Sequence, residues 1–213
     1  MVLYANGDSH TLGAMKDRPG DPSFIKLVAK HFNLGLENQS EGASSATRII
    51  RTTQDYLSHN QPQLVIIGWG TWEREEWVHN NEYYNVMVGW YKHLPEQLKT
   101  RYDTWAPQQD YDTLVKKSIV VHEQIYRLHK LLDACNIPHL FFNCMYDFQG
   151  VTKDMQYDWK KNHIGPYEGN KSYFWYLKNK QYEHDKWFHF PQEAHAEWAN
   201  LLIDHIEKND LIH

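Results

Sequence analysis

Four residues near the start of the chain, Gly7-Asp8-Ser9-His10, and two histidines near its end, His189 and His195, have the chemistry of a nucleophile and its base. A serine hydroxyl becomes a useful nucleophile when an imidazole within hydrogen-bond reach takes its proton. A serine on the turn leaving a first β-strand and a histidine opening a last helix would meet at one edge of a sheet. That meeting suits a serine hydrolase, and the Ser9 backbone N–H, near a helix start, would meet a developing oxyanion. Taken alone, Gly-Asp-Ser is equally an ordinary turn before a helix.

The elements that must position these residues are readable from apolar patterning. Three runs have strand length and β-rich composition, Val2 to Ala5, Leu64 to Ile67 and His139 to Asn143, and Leu34 to Glu37 is a shorter fourth. Helical patterns lie between them: Pro22 to Phe32, Ala46 to Leu57, and Tyr111 to Cys135, the last with Leu114, Ile125, Leu128 and Leu132 at helical spacing. A final helix is expected from Pro191 to about Glu207, its buried face marked by Ala194, Trp198, Leu201, Leu202 and Ile206. Pro22 suits the first turn of its helix, and Asn136-Ile137-Pro138 ends the long one. Strands alternating with helices predict an α/β fold, a parallel sheet covered on both faces. In such a sheet ligands bind outside the carboxyl ends of the strands. The residues there are Gly7 to Thr11, Asn38 to Ser45, Gly68 to Thr71 and Asn143 to Asp147.

Four blocks in this order resemble those of the SGNH hydrolase superfamily, the GDSL-like esterases. Gly7-Asp8-Ser9-His10-Thr11 is similar to the first, and Asn38 through Gly42-Ala43-Ser44-Ser45 to the second. Leu64 to Gly70 is similar to the third, and His189-Phe190-Pro191 with Ala194, His195 and Ala199 to the last. The resemblance implies a three-layer α/β/α sandwich around a flavodoxin-like, five-stranded parallel sheet. It also implies Ser9 as nucleophile, His189 as base, and Gly42 with the Ser9 N–H as oxyanion donors. The reaction implied is hydrolysis of an ester, with an O-acetyl group on a carbohydrate as the first substrate to try. Gly42 to Arg51 together with Ile67-Gly68-Trp69 is also similar to uncharacterised SGNH-like proteins of marine phages.

Two departures from that pattern matter. Gly70 stands where the family has an asparagine whose amide donates to the oxyanion, and loss of one such donor costs about 100- to 1,000-fold in rate. The Gly70 N–H, the Thr71 hydroxyl and the Ser45 hydroxyl are the substitutes in sequence. The family's triad acid usually stands three residues before the histidine, where this chain has Lys186; Asp185 is one residue further back. Either Asp185 reaches the imidazole, or Ser9 and His189 work as a dyad oriented by a backbone carbonyl. His195 occupies a position where the family often has histidine or another packing residue, so His189 is the expected base.

Asp8, Ser45, Thr71, Trp72 and Arg48 are further residues expected to contact substrate. Arginines near the crevice, Arg48, Arg51 and Arg74, would clamp an anionic group or pair with Glu73, Glu75 and Glu76 to pin the following segment to the body. His184, Asp185, His189 and His195 lack the spacing of a zinc motif, and no metal or cofactor is expected. Two stretches, about 72–110 and 148–185, stand outside the strand–helix alternation as insertions in a single domain. Their aromatics would line a groove or pack the insertions onto the core. Gly165 to Asn170 is the most loop-like segment, a lid tip or an ordinary surface loop.

Composition narrows the alternatives. The chain has 213 residues, a formal charge of -5 and no basic stripe, which disfavours nucleic acid and membrane as partners. The absence of a basic leader before Val2-Leu3-Tyr4-Ala5 predicts a cytoplasmic protein, and nothing indicates an oligomeric state. Cys135 and Cys144 make no disulfide framework and are expected to be buried, reduced thiols. The alternative class is a binding or structural protein that keeps the fold with a degenerate site.

Overall fold

The computed structural model describes residues 1–15 and 22–212. The first strand, β1 (Val2–Gly7), leads into a single helical turn, α1 (Ser9–Leu12), and α2 (Phe24–His31) and β2 (Gly35–Asn38) follow. Next come α3 (Ala46–Leu57) and β3 (Leu64–Trp69), then a hairpin, β4 (Glu75–His79) and β5 (Glu82–Val86), and α4 (Glu96–Trp105). The long α5 (Tyr111–Ala134) precedes β6 (His139–Asn143), β7 (His163–Ile164), α6 (Tyr173–Asn179) and the last helix, α7 (Gln192–Lys208). The main sheet is parallel throughout, in the order β2-β1-β3-β6-β7. Chain order reverses at β1, so the crevice between the ends of β1 and β3 is the topological switch point where such sheets bind ligands.

Alternating side chains of the central strands build two cores. Leu3, Ala5, Leu64, Ile66, Leu140 and Phe142 face one side and pack with Phe24, Tyr173, Trp198 and Leu202 of the helices α2, α6 and α7. Tyr4, Val65, Ile67, Trp69 and Phe141 face the other, against Ile49, Ile125, Leu128 and Leu132 of α3 and α5. Strands buried on both faces read as continuous apolar runs, which is why the sequence revealed them. Pro22 lies before the helix rather than in its first turn, because Ser23 is the N-cap of α2.

The two segments outside the alternation differ from each other. The first folds as the β4–β5 hairpin and α4 around a small core of its own, Trp77, Val86, Leu94, Leu98 and Tyr102. Arg51 of α3 grips Glu76 of β4 with two N–H groups, Nε to Oε2 at 2.9 Å and Nη2 to Oε1 at 2.5 Å. The ion-pair reading therefore holds for Arg51, which ties this segment to the body. The second segment is not wholly an insertion, since His163–Ile164 supplies the fifth strand of the main sheet. Its aromatics Phe148, Trp159 and Tyr167 pack on the face of α5, where the Tyr167 oxygen accepts from Tyr157 N and Trp159 Nε1, each at 2.8 Å. Cys144 is buried as expected, but Cys135, at the end of α5, is exposed. Among the described residues no helix is long and apolar enough to cross a membrane.

Candidate active site

The turn after β1 is shaped by Gly7 and Asp8. A Cβ at Gly7 would lie 2.4 Å from Thr11 Oγ1 and 2.7 Å from the Gly68 carbonyl oxygen, so only glycine lets α1 close onto the sheet edge. Asp8 then caps α1, its Oδ1 accepting from His10 N at 3.0 Å. The same carboxylate meets His10 Nδ1 at 3.0 Å through Oδ1 and accepts from Arg74 Nη1 at 2.8 Å through Oδ2. Burial pushes the Asp8 carboxyl up, but His10 and Arg74 outweigh it and hold the group far below the usual carboxylate range. Asp8 was expected to touch substrate; fully buried and engaged on both oxygens, it organises the turn instead.

Ser9, the residue after this cap, points its hydroxyl at the last segment of the chain. Ser9 Oγ lies 3.1 Å from His189 Nε2. On the other side of the ring, His189 Nδ1 is 3.3 Å from Asp185 Oδ2. Asp185 reaches forward four residues to the ring because the chain between them is a closed loop. Its Oδ1 accepts from Trp187 N at 2.7 Å and His189 N at 2.9 Å, its own N–H donates to His189 O, and Phe188 adopts a left-handed φ of 68°. Positive φ is unfavourable for a bulky residue, and here it absorbs the residue by which this loop exceeds the spacing of the resembling family. His10 steadies the loop, its Nε2 lying 3.3 Å from the Phe188 carbonyl oxygen. Burial lowers the His189 pKa, His10 lowers it further and Asp185 opposes; the net is a ring neutral at ordinary pH. Asp185 is pushed up by burial but held below its ordinary value by the His189 and Trp187 N–H groups and the His189 ring.

These groups open into a cavity of about 480 Å³. Gly42 and Ala43 after β2, Thr71 and Arg74 after β3, and Met145 and Tyr146 after β6 form its floor and sides with Ser9 and His10. Met87 and Trp90 of the hairpin segment stand on one rim, Lys186, Trp187 and Phe188 on the other.

Several expected site residues lie elsewhere. The Ser45 hydroxyl caps α3 by accepting from Arg48 N at 3.1 Å, and the residue is 1% exposed. Trp72 is buried, stacked on Phe148, with its indole N–H donated to the Asp147 carbonyl. Arg48 donates to Gln39 O, Ser44 Oγ and Glu41 Oε2, holding the β2–α3 connection rather than a ligand. Thr71 does line the cavity, but its hydroxyl donates to Glu73 Oε1 at 2.6 Å. Gly70 is crowded: a Cβ there would lie 2.7 Å from Arg74 Nη1 and 3.3 Å from Asp8 Oδ2. His195 is fully buried; its Nδ1 accepts from Phe24 N at 3.2 Å and it stacks on the Phe24 ring, while burial lowers its pKa to about 4. It satisfies the first N–H of α2 and packs the core.

His10 is the site residue that sequence reasoning passed over, and Arg74, expected to clamp an anionic group or pair with a glutamate, pairs with Asp8 instead. His10 sat in plain view beside Ser9. The pairing of Arg74 with Asp8 was not legible, because the two stand 66 residues apart in the chain. Among the described residues the grouping with metal-ligand geometry is Asp8, His10 and Cys144, whose ligand atoms lie within 4.8 Å of one another. The carboxylate there is already paired with His10 and Arg74, and the histidines of the last loop do not form such a group.

No protein-family model and no curated protein matches the sequence. Solved structures do match. A lipase/acylhydrolase from Enterococcus faecalis aligns over 98% of this chain and 96% of its own, with 12% identity and a TM-score of 0.51. The psychrotrophic esterase EstA from Pseudoalteromonas sp. aligns over 97% of both chains, at 12% identity and a TM-score of 0.50. LAE5, an alpha/beta hydrolase enzyme from the metagenome of Lake Arreo, aligns over 96% of this chain and 94% of its own, at 11% identity and a TM-score of 0.50. At these identities the likeness is one of fold: a five-stranded parallel sheet between helical layers, an α/β/α sandwich.

Proposed function

We propose that this protein is a serine ester hydrolase of the SGNH type. The observation that carries the reading is the line of three groups, Ser9 Oγ to His189 Nε2 at 3.1 Å and His189 Nδ1 to Asp185 Oδ2 at 3.3 Å. Ser9 attacks the acyl carbon while His189 takes its proton, and Asp185 fixes the ring's tautomer and stabilises the imidazolium. The Ser9 N–H, in the first helical position and so without an intrahelical acceptor, and the Gly42 N–H serve as backbone oxyanion donors. His189 then protonates the leaving alcohol, and water repeats the sequence on the acyl-enzyme.

The substrate we propose is an O-acyl group, in the first instance acetyl, on a carbohydrate. Trp90, Tyr146, Trp187 and Phe188 around an open 480 Å³ cavity offer the flat apolar faces on which sugar rings stack. The test is covalent labelling by a fluorophosphonate followed by intact mass, on the natural chain and on Ser9→Ala and His189→Ala. Single-site labelling lost in both variants supports the reading and justifies an acetyl-glycan screen. No labelling of folded protein would favour the rival, a binding protein with a degenerate site, for which Gly70 in place of asparagine is the motive.

A further inference from the structure

We propose that Arg74 is a catalytic residue of this site, the oxyanion donor that replaces the asparagine missing at position 70. The inference rests on the serine hydrolase reading above and deepens it.

The first support is steric. A Cβ on Gly70 would come within 2.7 Å of Arg74 Nη1, so a side chain at position 70 and the Arg74 guanidinium compete for one space. Glycine at 70 is what admits the arginine. The second is the state of the guanidinium. The Arg74 side chain is only 9% exposed, yet it borders the cavity shared by Ser9 and His189. Of its five N–H donors, Asp8 engages one on Nη1, which leaves the fork with donors to offer a ligand.

The third support is elimination among side-chain donors beside Gly70. The Thr71 hydroxyl is spent on Glu73, and the Ser45 hydroxyl is buried at the start of α3. The fourth is anchoring. Arg74 is held by Asp8, the residue that caps the turn carrying Ser9, so nucleophile and donor are fixed to one carboxylate before substrate arrives. Such preorganisation is what makes an oxyanion donor effective.

In the reaction the Ser9 oxygen bonds to the acyl carbon, its proton passes to His189 Nε2, and the carbonyl π pair moves onto oxygen. Arg74 donates a hydrogen bond to that oxyanion and transfers no proton to it. Collapse restores the carbonyl and expels the alcohol oxygen, which takes the proton from His189. Water then repeats both steps and releases the acid.

The test compares hydrolysis of p-nitrophenyl acetate, fluorophosphonate labelling and thermal melting for the natural chain and four variants: Arg74→Ala, Arg74→Lys, Arg74→Ala/Gly70→Asn and Arg74→Ala/Asp8→Asn. Arg74→Ala should lower kcat by about 100- to 1,000-fold with little change in KM, and adding Gly70→Asn should recover tenfold or more by placing an amide in the vacated space. Arg74→Lys keeps a charge for Asp8 but not the forked donors, and should remain at least tenfold down in kcat if Arg74→Ala does not fold. Full activity in Arg74→Ala or Arg74→Lys overturns the proposal and leaves the Ser9 reading standing. Recovery by Asp8→Asn but not by Gly70→Asn also overturns it, since Arg74 would then serve only to balance Asp8. A natural chain that neither labels nor hydrolyses overturns both readings.

Discussion

Lowering the pH from 7.5 to 5 should unfold this protein far more readily than its acidic residues alone would allow. Four histidines, His122, His139, His163 and His195, are between 0% and 5% exposed. Burial is the largest cause of lowered pKa in each, to about 4 for His122, His139 and His195 and about 3 for His163. The hydrogen bonds explain why they stay neutral. His139 Nδ1 donates to the Ile137 carbonyl, so its Nε2 must accept from His129 Nδ1, 2.8 Å away. A second proton on His139 would face that N–H. His163 Nε2 has no partner among the described residues that would welcome a proton.

The sign follows from the direction of these shifts. An unfolded histidine titrates near 6.5, so below that pH the unfolded chain binds protons that the folded chain refuses. The stabilisation is complete above about pH 6.5 and is lost as pH falls toward the folded values near 4. At pH 5 each site costs about 2 kcal/mol, and the four together on the order of 5–8 kcal/mol, against a typical domain stability of about 5–15 kcal/mol. Near pH 5.5 the slope should approach four protons, about 5 kcal/mol per pH unit. The depressed carboxyls of Asp8, Asp185 and Glu75 lose their contribution only at lower pH, below the ordinary carboxylate range. Urea denaturation followed by tryptophan fluorescence at pH 7.5, 6.5, 5.5 and 5 measures this directly, and His163→Leu should remove about one proton from the slope. An unchanged midpoint between pH 7.5 and 5 would refute the argument.

Other outcomes follow from the site and its supports. Ser9→Ala should abolish ester hydrolysis while leaving stability within about 1 kcal/mol, checked by melting. Asp185→Asn should lower kcat by about 1,000- to 10,000-fold, the scale seen when a triad carboxylate is replaced by its amide; activity within tenfold would favour a Ser9–His189 dyad. kcat/KM should rise with pH as His189 loses its proton, with its midpoint below that of an ordinary histidine, because burial and His10 lower its pKa; a profile still rising above pH 8 would contradict this. Tyr167→Phe should cost about 1–3 kcal/mol, since the buried N–H groups of Tyr157 and Trp159 lose their acceptor, and chemical denaturation would show it.

The sheet and its helices were legible because period and run length are strong signals when both faces of a strand are buried. The expected run His139 to Asn143 and the expected helix Ala46 to Leu57 coincide with β6 and α3. β7 was illegible because two residues carry no pattern. The β4–β5 hairpin did carry one that went unread: Asn80 and Asn81 both have positive φ, 50° and 64°, as a two-residue turn of this kind requires. Within the site, Ser9 and His189 could be picked out because each borders an element that could be read. Asp185 stood one residue off the familiar spacing, and only the left-handed Phe188 shows how the loop closes. Arg48, Ser45 and Trp72 were misjudged because sequence proximity to the crevice says nothing of direction, and each turns to satisfy a backbone group or a core.

The loop from Asp185 to His189 carries two groups of the proposed proton relay and forms one rim of the cavity. Lys186, Trp187 and Phe188 meet whatever enters, while the residues on either side of them hold the imidazole in line. On that reading, substrate preference and catalytic alignment are written in the same five residues. A change at Trp187 that welcomes a new acyl group or alcohol will shift turnover along with affinity. On the hydrolase reading proposed above, a new substrate is easier to admit from the opposite rim, where Met87 and Trp90 stand on a separate hairpin with its own small core.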